Sequence, residues 1–158
     1  MYHIIVGLFD ICIQGASCQD EKTLISNTIN LIVKDLPSSG KPAFFSGAVG
    51  QYTLGSNIDH KEVMANEAIT LKYTISGQGN VDLLPDLVVN FPADFEVYDP
   101  RTTDNVNASE NGISGSKTIE YLFQPRFEGD YTIPAIKFVY FDPATAKYIT
   151  KSTEQYNL

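Results

Sequence analysis

The chain of 158 residues contains no tryptophan, two cysteines, two histidines and no long apolar run. Since a membrane-spanning helix needs about 18 or more apolar residues, we expect no direct membrane insertion by this segment. Cys12 and Cys18 lack the two further Cys or His ligands of a structural zinc site, so we expect unpaired thiols rather than a metal site or a small disulfide loop. His3 lies near the chain start and His60 lies in a polar turn, where imidazoles are usually solvated. We therefore expect no catalytic residues, no cofactor and no enzyme activity.

Basic residues are also scarce. Eleven lysines and arginines against nineteen aspartates and glutamates give a formal net charge of -8. This charge repels the phosphate backbone and anionic lipid headgroups, so the sequence disfavours nucleic acid and direct headgroup binding. With 43% apolar and 19% charged residues, the composition is typical of a folded globular protein.

The sequence contains an incomplete repeat. The string Gly7-Leu8-Phe9-Asp10-Ile11 near the start is similar to Gly129-Asp130-Tyr131-Thr132-Ile133 near the end. Each copy is followed by a linker and a second alternating segment, so the equivalence spans two strands. We predict three parts: residues 1–36 as the C-terminal hairpin of a preceding β domain, residues 37–42 as a proline-containing linker, and residues 43–158 as one complete β domain.

Residues 1–18 also resemble a signal peptide, because Ile4–Phe9 is apolar and Gly15–Cys18 looks like a lipoprotein cleavage box. However, no Lys or Arg precedes the apolar run, Asp10 interrupts it, and it alternates like a strand. We therefore predict strands at residues 3–13 and 22–33.

Residues 43–158 show period-two alternation and no competing helical periodicity. The clearest strand is residues 69–75, and turn signals recur at intervals of roughly 8–12 residues. We predict an all-β, immunoglobulin-like antiparallel β-sandwich of about seven strands. The alternation places four aromatics in the core and leaves three as surface anchors: Tyr73, Tyr121, Phe123 and Phe138 inside, and Tyr98, Tyr140 and Tyr148 outside.

Three residues are expected to have structural roles: Gly129, Tyr131 and Pro134. Gly129-x-Tyr131 is typical of a tyrosine corner, in which the Tyr hydroxyl bonds back to the backbone. The acidic residue Glu128 departs from the usual pattern by one position.

Residues 99–115 are polar and rich in turn residues, and we predict either a mobile segment or a binding loop. The candidate interaction residues in and beside it are Tyr98, Asp99, Arg101, Asp104, Asn105 and Asn107. Carboxylates are concentrated between Asp82 and Asp104, but the spacing of a calcium loop is absent, which favours a solvated acidic rim. We predict edge strands at residues 83–91 and 43–54, where prolines and glycines interrupt the strand pattern.

Five strings spread over residues 44–143 resemble the BatD family of bacterial envelope proteins, also described as aerotolerance-related or oxygen-tolerance proteins. They are Phe45-Ser46-Gly47-Ala48-Val49-Gly50, Ile75-Ser76-Gly77-Gln78-Gly79-Asn80, Gly115-Ser116-Lys117-Thr118-Ile119-Glu120-Tyr121, the run from Pro125 to Pro134, and Tyr140-Phe141-Asp142-Pro143. Residues 15–33 are similar to the end of the preceding domain in such proteins.

This resemblance implies a membrane-anchored parent with tandem β domains on the periplasmic face of the inner membrane. It also implies an operon that encodes a MoxR-type ATPase and von Willebrand factor A-type Bat proteins as partners. The chain is then expected to be a fragment of a longer protein. We expect a non-catalytic protein-interaction or scaffold domain, with a ligand-binding module for glycan or calcium as the alternative.

Overall fold

The computed structural model describes residues 31–110 and 112–158, and residues 37–158 form one compact unit. The expected strand at residues 3–13, the first copy of the repeat and both cysteines lie outside the described residues, as does most of the expected strand at residues 22–33. The division into residues 1–36, 37–42 and 43–158 stays a prediction.

The described residues form strands and one short 3₁₀ turn. The strands are β1 (Ala48–Ile58), β2 (Ile69–Gly79), β3 (Phe95–Val97), β4 (Arg101–Ser109), β5 (Gly112–Pro125), β6 (Thr132–Ile133), β7 (Lys137–Asp142), β8 (Lys147–Ser152) and β9 (Tyr156–Asn157), and the turn is Val81–Leu83. The main sheet has the order β3-β5-β2-β1-β7-β8, with β4 also paired to β5, while β6 and β9 form a separate pair. The predicted all-β, sandwich-like fold is confirmed, and the main sheet is curled. The one parallel pairing in it joins β1 to β7.

The core forms where alternating side chains of β2 and β5 face inward. Tyr73, Tyr121, Phe123 and Phe138 are all buried, as expected from the alternation. Tyr140 is also buried, so the expectation that it is a surface anchor is wrong. The reason is that β7 is covered on both faces from Phe138 to Asp142, which a period-two pattern does not indicate.

The prediction of an edge strand at residues 43–54 is wrong. Within residues 43–54, β1 begins at Ala48 and lies inside the sheet, with β2 on one side and β7 on the other. The prediction for residues 83–91 is also wrong, because Leu83 ends the 3₁₀ turn and residues 84–91 join no sheet ladder. The place of β1 depends on its pairing with the distant β7, which the local glycines do not indicate.

Asn80 follows β2 directly and joins it to the start of β1. Its Oδ1 accepts hydrogen bonds from the Val49 N–H at 2.7 Å and from the Tyr52 hydroxyl at 3.0 Å. Its Nδ2 donates to the Gly47 carbonyl at 2.9 Å, and its own N–H donates to the Val49 carbonyl at 3.1 Å. This side chain therefore continues the β1–β2 ladder beyond the last paired residues.

Tyr131 connects the turn before β6 to the end of the chain. Its hydroxyl donates to the Phe127 carbonyl at 3.2 Å, and its ring lies against Gly129, 3.5 Å from where a Cβ would stand. Its backbone N–H and carbonyl both bond to Leu158, at 3.0 and 2.9 Å. A tyrosine hydroxyl that bonds back to backbone four residues upstream has the geometry of a tyrosine corner.

Asp142 closes the turn between β7 and β8. Its carboxylate accepts a hydrogen bond from the Ala144 N–H at 2.9 Å and another from the Thr145 hydroxyl at 3.0 Å. These bonds, with the Ala144 N–H as the largest contribution, outweigh the effect of burial and lower the pKa of Asp142. A depressed pKa means that the carboxylate stabilises the fold above about pH 4, its ordinary pKa in unfolded chains.

The first prediction concerns Asn80. Asn80→Ala should lower the free energy of unfolding by about 1–3 kcal/mol, because the Val49 N–H and the Gly47 carbonyl lose their side-chain partners. Urea denaturation measures the change. Asn57→Ala removes an exposed β1 amide that makes no side-chain hydrogen bond to the described residues, and it should cost less than about 0.5 kcal/mol. Similar losses in the two variants would show that Asn80 is not a ladder residue.

A second prediction compares two buried tyrosines. The Tyr73 hydroxyl is buried without a hydrogen-bond partner among the described residues, whereas the Tyr121 hydroxyl donates to the Leu87 carbonyl. Tyr73→Phe should therefore leave the stability unchanged or raise it, and Tyr121→Phe should lower it by about 1 kcal/mol. Thermal melts of the two variants measure the difference, and a larger loss for Tyr73→Phe would contradict the assignment.

A third prediction concerns acid stability. As pH falls from about 5 towards 2, the native protein should lose stability, partly because Asp142 binds a proton less readily in the folded state than in the unfolded state. Asp142→Asn should reduce this pH dependence, whereas Asp130→Asn, which removes an exposed carboxylate, serves as the matched control. Urea midpoints across the range give the slopes. The same slope in native protein and Asp142→Asn would exclude this role.

Candidate functional site

Most of the sequence-predicted interaction residues lie on β4. Four of them, Arg101, Asp104, Asn105 and Asn107, are β4 residues, while Tyr98 and Asp99 lie just before it. Tyr98 continues the β3–β5 pairing, because its N–H donates to the Leu122 carbonyl at 2.9 Å. All six side chains are exposed to solvent. The structure therefore brings them together along one strand.

The prediction of a loop at residues 99–115 is wrong, and its mobility stays a prediction. Residues 101–109 pair with residues 112–120 in a regular antiparallel hairpin. Sequence reasoning missed β4 because its side chains are exposed on both faces, so the strand has no hydrophobic alternation. A signal was present nonetheless, because the sequence Asn-Gly at 111–112 favours hairpin turns, and Gly112 forms the last pair of the β4–β5 ladder with Ser109.

The register divides the candidate residues between the two faces of the sheet. Arg101, Asn105 and Asn107 lie opposite Glu120, Ser116 and Ser114, on the outer face. Asp104 lies opposite Lys117 and shares the inner face with the buried Ile119. A single ligand on one face of the sheet therefore cannot contact all of the candidates, since successive strand residues point to opposite sides.

Ion pairs organise the charges around β4. On the outer face, the Lys72 ammonium lies 2.6 Å from Glu120. Lys72, with a smaller contribution from Arg101, lowers the pKa of Glu120. On the inner face, the ammonium of Lys117 pairs with Asp86 at 3.1 Å, and Asp104 forms no ion pair with the described residues.

Two glycines let the strands around the hairpin approach closely. Gly77 and Gly115 lie opposite each other in the β2–β5 ladder. A Cβ on Gly77 would overlap the Gln51 carbonyl oxygen, and a Cβ on Gly115 would overlap the Asn105 carbonyl oxygen. A side chain at either position would therefore require the backbone of the neighbouring strand to shift.

The contact between Gly115 and the Asn105 carbonyl also shows which backbone groups of β4 point away from β5. The Asn105 carbonyl lies against Gly115 and so points into the β4–β5 ladder. Residues of an antiparallel strand alternate between facing the partner and facing away. Backbone N–H and carbonyl groups therefore point to the open side of β4 at Thr102, Asp104, Val106 and Ala108. No strand among the described residues pairs with this side.

The expectations about metal ligands, catalytic histidines and membrane spans concern the rest of the chain as well as β4. Within residues 31–110 and 112–158, no group of three or more His, Cys, Asp and Glu side chains could hold a metal ion. His60 is exposed, with Nδ1 3.5 Å from the Asp59 carboxylate. No helix in the part of the chain that the structure describes is long and apolar enough to cross a membrane.

The comparisons with known proteins give one match. The family model for the BatD DUF11-like domain matches residues 56–158. Neither curated proteins nor solved structures gave a match. The matched residues run from the end of β1 to the last strand and include Asn80, the β4–β5 hairpin, Tyr131 and Asp142. The chain therefore belongs to the BatD family.

Proposed function

We propose that this chain is a non-catalytic docking domain of a membrane-associated, aerotolerance-related envelope protein. It acts on the periplasmic side and binds an extended segment of a partner by strand addition at the open side of β4. The von Willebrand factor A-type Bat proteins are the proposed partners, because the family resemblance implies them. The supporting observation is the free edge of β4.

This edge has little of the usual protection against strand pairing. Exposed edge strands are commonly very short, or carry lysine, proline, a bulge or an inward-pointing charge. β4 is nine residues long, is exposed at every position, and contains neither lysine nor proline; Asp104 is its one inward-pointing charge. An edge of this length and composition is suited to accept another strand, which is a common mode of peptide recognition.

The energy available at this edge is moderate. The outward backbone groups of β4 can form several hydrogen bonds, each worth about 1 kcal/mol net. Such bonds alone cannot exceed the entropy cost of association, so side chains must add affinity and specificity. The inner face offers Val106 and Ile113, each 44% exposed, and the outer face offers Arg101 and Asn105.

The alternative of a glycan or calcium module has less support. The described residues contain no group of acidic side chains suited to a metal, and the exposed Tyr98 is a single aromatic at the margin of β4. Glycan binding stays a prediction.

The test is a pair of substitutions at one residue. Thr102→Pro removes an outward N–H without removing a bond to β5, so it should weaken binding of a purified von Willebrand factor A-type Bat protein by about five- to tenfold. Thr102→Val keeps the N–H and changes only the side chain, so affinity should stay within about twofold. Isothermal titration calorimetry gives both affinities.

Circular dichroism of both variants checks that the fold is intact. Equal affinities for Thr102→Pro and the native domain would rule out strand addition at β4. Equal weakening by both variants would assign the contact to the Thr102 side chain instead.

A further inference from the structure

The open edge of β4 carries a single charge on its inner face. Four side chains of this strand share the face of the buried Ile119, and they are those of Thr102, Asp104, Val106 and Ala108. Asp104 is the one ionisable residue among the four. The only cation of the strand, Arg101, lies on the outer face opposite Glu120. A strand that adds to this edge therefore meets one carboxylate on its inner side.

The Asp104 carboxylate has no counter-charge among the described residues. Lys117 stands opposite it in the β4–β5 ladder. The Lys117 ammonium contacts the Asp86 carboxylate at 3.1 Å and the Leu84 carbonyl at 3.0 Å instead, and its side chain is only 11% exposed. Asp104 forms no ion pair with the described residues. Because one lysine faces two carboxylates, this part of the inner face keeps a net negative charge.

A second copy of this chain does not supply the missing cation by antiparallel pairing. Opposite residues of two antiparallel strands lie on the same face of the sheet, and the outward backbone groups of β4 belong to its inner-face residues. None of those residues is a cation, so every antiparallel register of two β4 strands leaves both carboxylates unneutralised. The register centred on Asp104 places them side by side. An inward-pointing charge of this kind protects an edge strand from unwanted pairing.

We infer that Asp104 selects the segment that adds to β4. The selected segment is extended, with lysine or arginine opposite Asp104 and a β-branched apolar residue two positions away, next to Val106. This inference rests on the proposed function, because it requires strand addition at β4. Opposite charges on facing residues stabilise a strand pair, whereas like charges destabilise it. Val106 is 44% exposed on the same face, so an apolar neighbour would remove it from water.

The experiment uses three capped peptides of the sequence Thr-Val-Thr-X-Thr-Val-Thr, in which X is lysine, glutamine or glutamate. The sequence is the same in both directions, so X lies on the same face as both valines whichever way the peptide pairs. Each peptide is titrated into the isotope-labelled full chain, and the amide signals of Thr102, Asp104 and Val106 are followed. The lysine peptide should bind about two- to fivefold more tightly than the glutamine peptide, and the glutamate peptide should bind most weakly.

Two variants attribute this order to Asp104. Asp104→Asn should abolish it, so that the three affinities agree within about 1.5-fold, and Asp104→Lys should reverse it, with the glutamate peptide now the tightest. Asp130→Asn is the control, because it removes an exposed carboxylate from the turn before β6 and should keep the native order. All these changes are at exposed positions, and amide spectra check that the fold is intact.

The outcomes distinguish this inference from the proposed function. Equal affinities of the three peptides, with shifts along β4, would overturn the role of Asp104 and leave strand addition in place. A lysine preference that survives Asp104→Asn would also overturn it, because the responsible charge would lie elsewhere. No shift along β4 with any peptide at millimolar concentration would contradict strand addition as well. Shifts along β4 that grow with protein concentration, without peptide, would show a second copy at the edge, which Asp104 should exclude.

Discussion

The hydrogen bonds of Asn80 extend one end of the β1–β2 ladder, and the rest of the main sheet is built on that pairing. β2 is the central strand on which β5 pairs, and β5 in turn carries both β3 and β4. A slip of one residue between β1 and β2 would move Tyr73 from the core to the solvent face. The amide side chain opposes such a slip because its bonds to Gly47 and Val49 exist in only one register.

Once the register is set, the same strands determine which surfaces stay open. β5 continues past the core, so β4 pairs with a stretch of β5 whose inner face has little to cover it. On the other side of the unit, β1 leaves β7 after only two paired residues. Lys117 and Tyr121, both on β5, then hold residues 84–87 by side-chain bonds rather than by a ladder. The open edge of β4 thus lies beside a well-packed core in which the strand pairing is incomplete.

The family strings acquire physical explanations in this structure. Gly77 and Asn80 are needed because the first allows close strand approach and the second continues the ladder. Asp142 caps the β7–β8 turn, and Tyr131 bonds back to Phe127. These are structural roles, so the strings identify the domain without containing β4, the strand of the proposed docking edge.

The sequence by itself determined the fold class and the aromatic core, because Tyr73, Tyr121 and Phe123 each stand in a clear period-two pattern. It also placed the candidate residues of β4 close to one another, since they are neighbours along the chain. Only the tertiary structure decided that β4 is a strand, because a segment exposed on both faces has no hydrophobic alternation and acquires its conformation from β5. Likewise, only the pairing of β1 with β7, about 90 residues away along the chain, placed β1 inside the sheet. Local sequence patterns record which side chains are buried, whereas strand neighbours depend on contacts between residues far apart in the chain.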